Sequence, residues 1–62
     1  MITLTDEDGI RFELDPDLIE EAYRTRNGTL LKVYGSFPIQ VLESIDTVTS
    51  LSIQDQMNRI FK

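Results

Sequence analysis

Asp15-Pro16-Asp17-Leu18-Ile19-Glu20-Glu21-Ala22-Tyr23-Arg24-Thr25-Arg26-Asn27-Gly28-Thr29-Leu30-Leu31-Lys32 decides how the chain folds, because its first half reads two ways. Asp15 suits a helix N-cap, Pro16 the first helical position and Asp17 the positive end of a helix. Leu18, Ile19, Ala22 and Tyr23 then fall at helical spacing. Against a helix of that length stands Asn27-Gly28. That dipeptide favours a type I′ hairpin turn, which needs extended chain on both sides. Tyr23 to Arg26 before it and Thr29 to Lys32 after it both suit strands. One helical turn at Pro16 to Leu18, followed by a strand from about Ile19 to Arg26, satisfies both signals. A helix through residues 16–23 is the competing reading.

Upstream, Met1 to Thr5 alternates, with Ile2 and Leu4 on one face. Ile10 to Leu14 alternates more cleanly, and places Ile10, Phe12 and Leu14 toward a core and Arg11 and Glu13 toward water. Asp6-Glu7-Asp8-Gly9 between them reads as a hairpin turn with Gly9 at positive φ. Asp6, Asp8 and Gly9 also begin a calcium-loop pattern, but Phe12 and Leu14 interrupt the ligand positions and no exiting helix follows. Downstream, Thr29 to Tyr34 reads as a central strand with Leu31 and Val33 on one face. Gly35-Ser36 breaks it, and Phe37 to Val41 resumes with Phe37, Ile39 and Val41 sharing a face. Pro38 cannot donate a ladder hydrogen bond, so this strand starts irregularly or lies at an edge.

Glu43 to Lys62 has helical propensity. Ser44 can cap a helix whose early apolar residues are Ile45, Val48 and Leu51. The later ones, Ile53, Met57, Ile60 and Phe61, centre on a side more than about 90° away. Either the helix breaks near Ser50 to Ser52, where Ser52 and Asp55 could form a second capping box, or its second half meets something else. The fold expected is α+β: a small antiparallel sheet of four or five hairpin-connected strands with a C-terminal helix or helix pair.

The chain has 62 residues, no Cys and no His, and a net charge of -5. That length makes one domain with a marginal core, which favours help from a partner or a second copy. Disulfides, thiol chemistry and the usual zinc sites are excluded. The acidic balance disfavours nucleic acid and acidic membranes. No apolar run is long enough to span a membrane, and no signal peptide is visible, so a cytoplasmic protein is expected.

Three segments carry a likeness to a known family: Gly9-x-x-Phe12-x-Leu14, Asp15-Pro16-Asp17-Leu18-Ile19-Glu20 and Val41-x-Glu43-Ser44-Ile45-Asp46-x-Val48. With Leu4-Thr5 near the start, the chain resembles the small flagellar proteins of the FlbD/SwrD type over nearly its whole length. It departs where Asp15 replaces the family's usual Asn, at Arg24 to Gly28, and at Tyr34 to Pro38. The resemblance implies a non-enzymatic accessory factor of flagellar motility and swarming, working through protein contacts, with a motor or stator component as partner. It carries over no catalytic residue, cofactor or metal site.

The residues themselves also offer no catalytic constellation. Eight of the eleven acids lie between Asp6 and Glu21, opposed there only by Arg11, and a basic protein segment could dock on them. Asp15 and Asp17 lack a nucleophile or His nearby and read as turn caps. Arg24, Arg26 and Lys32 are too few for a nucleic-acid surface. Gly28 and Gly35 lack the spacing of a phosphate cradle. The partner-binding candidates are therefore Asp15, Asp17, Glu20 and Glu43, with the apolar stripe Ile53, Met57, Ile60 and Phe61. That stripe is expected to take a partner or a second copy, as in a homo-oligomer unrelated to flagella.

Overall fold

The computed structural model describes residues 1–60. Five strands and one helix follow in the order β1 (Ile2–Thr5), β2 (Arg11–Leu14), β3 (Ile19–Thr25), β4 (Gly28–Val33), β5 (Ile39–Val41) and α1 (Ile45–Ile60), with a 3₁₀ turn at Pro16–Leu18. The protein is thus α+β, with antiparallel hairpins and a single C-terminal helix. β1 pairs with β2, and β3-β4-β5 form a second sheet. The two meet at a bridge between Asp6 and Val41.

The ambiguous stretch resolves as a turn followed by a strand. Asp15 caps the 3₁₀ turn, its Oδ1 accepting from Asp17 N–H at 3.0 Å. The turn stops after three residues because the β3–β4 hairpin claims the chain from Ile19 onward, pairing Ile19 with Val33 and Thr25 with Gly28. The turn chemistry of that hairpin differs from the type I′ expectation. The loop residues are Arg26 and Asn27, and neither has a positive φ. Gly28 instead opens β4 at φ 147°, where an added Cβ would lie 2.2 Å from the carbonyl oxygen of Val41. The glycine is needed there for close approach to the end of β5.

In the first hairpin Asp6 organises the turn. Its Oδ1 accepts from Asp8 and Ile10 N–H, both at 2.9 Å, and Gly9 N–H donates to its carbonyl at 3.0 Å. Ile10 is part of this loop rather than of β2, and it is 62% exposed, against the expectation that it faces the core. Phe37 is likewise exposed rather than sharing the face of Ile39 and Val41, because β5 begins only after Pro38.

Ile2, Leu4, Leu31, Val33, Val41 and Val48 form the buried core, with Phe12, Leu14, Ile19, Ala22, Ile39 and Leu51 packed around it. Helix α1 runs unbroken for 16 residues. Ser44 caps it, accepting from Thr47 N–H at 3.2 Å. Ser52 does not start a second helix; its hydroxyl donates back to the Val48 carbonyl at 2.9 Å. The anticipated break at residues 50–52 is therefore absent, and Val48 is the one described helix residue that is fully buried.

Replacing Gly28 with Ala should cost about 3 kcal/mol or more in urea unfolding, since backbone must shift to admit the methyl. Gly35 has φ 74° and open space around it, so Gly35→Ala should cost only about 1 kcal/mol. Equal losses would show that positive φ alone, rather than the approach to Val41, fixes the glycine at position 28.

Candidate functional site

An open groove runs between the 3₁₀ turn with β3 on one side and α1 on the other. Pro16, Ile19 and Ala22 form one wall, and Val48, Ser52 and Ile53 the other, around a volume of about 250 Å³. It continues past Asp17 and Gln56 to Arg59 and Ile60. The floor is apolar because Ile19 and Ala22 lean toward the core while the helix faces them with Val48. The outer helix face adds Ile53 and Met57 at about half exposure and Ile60 at 73%. On a 100° wheel these three centre roughly 150° from Ile45, Val48 and Leu51. A continuous helix cannot turn both sets inward.

Charges crowd the C-terminal end of the groove. Arg59 reaches across to the 3₁₀ turn, its Nη1 donating to Asp17 Oδ2 at 2.7 Å and its Nη2 lying 3.9 Å from Asp15 Oδ1. Its Nε also donates to Asp55 Oδ2 at 3.0 Å, one helical turn back. Hydrogen bonds to Asp17, then to Asp55, hold the guanidinium above the ordinary arginine value. Asp55 also accepts from the Met1 ammonium at 2.6 Å. That bond, followed by the one from Arg59, holds its carboxyl below the usual range. Three carboxylates thus face one guanidinium and one ammonium, which leaves the rim of the groove with one negative charge in excess. The Asp55–Arg59 spacing of four residues was visible in the sequence; the reach of Arg59 to Asp17, over 42 positions, was not.

The structure divides the sequence candidates. Asp15, Asp17, Ile53, Met57 and Ile60 fall around the groove and on the adjoining helix face. Glu20 sits at a bulge in β3 and borders a separate depression with Lys32, Val33 and Phe37. Glu43 is committed to the fold: its Oε1 accepts from Thr5 N–H and its Oε2 from the Thr5 hydroxyl, both at 2.8 Å. Phe61 lies outside the described residues.

No family model, curated protein or solved structure matches the chain. The flagellar, motility and swarming terms implied by the resemblance are withdrawn on that finding. The motifs that carried the likeness also have structural roles here. Asp15-Pro16-Asp17 makes the 3₁₀ cap, Glu43 ties down β1, Ser44 caps α1 and Val48 fills the core. Among the described residues no group of three His, Cys, Asp or Glu side chains is placed to hold a metal ion. No described helix is long and apolar enough to cross a membrane. The groove is shallow and open, unlike the enclosed cavities that hold small molecules.

Glu43 gives the fold a pH signature. Burial pushes its carboxyl up, but the Thr5 N–H and hydroxyl, with the charge of Arg11, outweigh this and leave it below the usual glutamate value. A depressed folded value means that the stabilisation is complete above the unfolded value, about 4.3, and fades as pH falls through the folded one. Asp55 acts in the same direction. Thermal midpoints measured downward from pH 6 should therefore fall below about pH 4.5. Glu43→Gln should flatten that decline and cost about 1 to 2 kcal/mol at pH 7. An unchanged slope would show that Thr5 does not hold the charged form.

Proposed function

We propose that the protein is a small non-enzymatic protein-binding module, unrelated to flagella and acting in the cytoplasm, that captures a basic amphipathic segment of another protein. The observation that carries this is the unbroken helix, which leaves Ile53, Met57 and Ile60 exposed on the side away from the core, beside the groove. Apolar groups of a partner would cover them and enter the space over Ile19 and Ala22. The rim favours a basic partner over an acidic one, because Asp15, Asp17 and Asp55 are opposed by two cations, Arg59 and the Met1 ammonium. It also disfavours a second copy at this face, since two acidic rims would meet.

A synthetic helix with Leu on one face and Lys on the other is the direct probe. It should bind the wild-type chain at least about tenfold more tightly than the same helix with Glu for Lys. Ile53→Ser and Met57→Ser should each weaken the Lys helix by about tenfold while leaving the thermal midpoint nearly unchanged, because both side chains are half exposed. Equal affinity for the two helices, or full affinity in both variants, would overturn the reading.

A further inference from the structure

The joined sheet ends in two outer strands, β2 and β3, and they present different edges. β3 is interrupted by the bulge between Ile19 and Glu21, and Arg24 crosses from it to Asp46 at 3.6 Å. Bulges and charges of this kind discourage strand addition. β2 pairs with β1 in an unbroken register and has neither bulge nor proline.

The register also tells which backbone groups of β2 are free. Along an antiparallel pair, bonded residues alternate with residues whose N–H and C=O point away. Asp6 N–H donates to the Ile10 carbonyl at 2.9 Å, which makes that pair a bonded one. Thr5 comes next, and both its groups point away from β2: its N–H goes to Glu43 and its carbonyl accepts from Leu42 N–H. Leu4–Phe12 and Ile2–Leu14 are then bonded pairs, while Arg11 and Glu13 turn N–H and C=O outward, to an edge with no strand beyond it.

We propose that a second copy of this chain adds to that edge, antiparallel, about a twofold axis at Phe12. Charge selects the register. With the axis at Phe12, Arg11 of each copy faces Glu13 of the other, and the outward N–H and C=O of those two residues bond to each other as a ladder requires. An axis at Glu13 would set Glu13 against Glu13, and an axis at Arg11 would set Arg11 against Arg11; like charges directly opposite destabilise a pair. On the other face the Phe12 axis brings Phe12 against Phe12 and Ile10 against Leu14. Phe12 and Leu14 are only half-buried in one copy, and Ile10 is 62% exposed, so all three gain cover. The product is a four-stranded sheet, β1-β2-β2-β1, with the same patch used twice. This surface lies on β2, apart from the helix groove, and the inference does not rest on that reading. The contact is small beside the roughly 800 Å² per partner of stable interfaces, which sets the expected dissociation constant on the order of 100 µM.

Sedimentation equilibrium of the full chain between about 10 µM and about 1 mM tests this. Wild type should pass from monomer to dimer across that range. Arg11→Glu and Glu13→Arg should each weaken the dimer by at least about tenfold, while an equimolar mixture of the two variants should dimerise, because opposite charges again face each other across the axis. Hydrogen exchange of the wild type gives a readout that needs no variant. The amides of Arg11 and Glu13 should become protected as concentration rises, in step with mass. Three results would overturn the inference: a wild type still monomeric at the highest concentration, mass rising while those two amides keep exchanging freely, or folded charge variants that dimerise as well alone as wild type.

Discussion

Everything in this small fold depends on how Thr5 at the end of β1 is satisfied. Its carbonyl takes the Leu42 N–H at 2.9 Å, as a neighbouring strand would supply, but its N–H takes the Glu43 carboxylate. A side chain therefore completes the ladder where β5 has already ended. The Thr5 hydroxyl donates to the second oxygen, and the buried Thr29 hydroxyl donates to the Glu43 carbonyl at 2.9 Å. One residue thus ties β1 and β4 together at the point where the chain leaves the sheet for the helix. Removing its carboxylate would orphan the part-buried Thr5 N–H and the Thr5 hydroxyl together, and unsatisfied groups of that kind are costly.

That corner also explains why the helix is anchored so asymmetrically. Glu43 fixes the start of α1, Ser44 caps it and Val48 enters the core. Beyond Leu51 the sheet has little more apolar surface to offer, and the helix is tied by Asp55 accepting from the Met1 ammonium and by Arg59 reaching back to Asp17. Such an exposed pair contributes little on its own. Its main consequence is positional: it sets the far end of the helix beside the 3₁₀ turn and leaves a groove between them. The same electrostatics separates two kinds of contact. The groove sets three carboxylates against Arg59 and the Met1 ammonium, as the proposed basic partner requires, whereas β2 alternates Arg11 and Glu13, as the proposed pairing with a second copy requires.

The sequence was informative where the signal is local. The cap at Asp15, proline at the first position and the Asn27 turn together specified a single turn followed by a strand, and Ser44 marked the start of α1. It was less informative where the deciding partner is distant. Nothing near Gly28 reveals that the Val41 carbonyl will lie against it, so a glycine needed for approach looked like a turn glycine. Ile10 continued a clean alternation, but Asp6 draws its backbone into the loop. In the candidate site, two helical stripes were legible, and so was their conflict. Which way the conflict resolves depends on Ser52, whose hydroxyl can cap a new helix or bond back within an existing one with equal local plausibility. Glu43 looked like a docking acid because its partner, Thr5, is 38 positions away.

Helix α1 continues through Ser50 to Ser52 and so turns Ile53 and Met57 away from the core. Methyl and backbone NMR on the full chain measures this directly, below the concentration at which copies associate. Helical Cα shifts without interruption from Thr47 to Asn58, with no nuclear Overhauser contact from the Met57 methyl to Leu4, Leu31 or Val33, are the expected result. A loss of helical shifts at residues 50–52, accompanied by contacts from Met57 to those core side chains, would contradict it and return the second stripe to the domain's own interior.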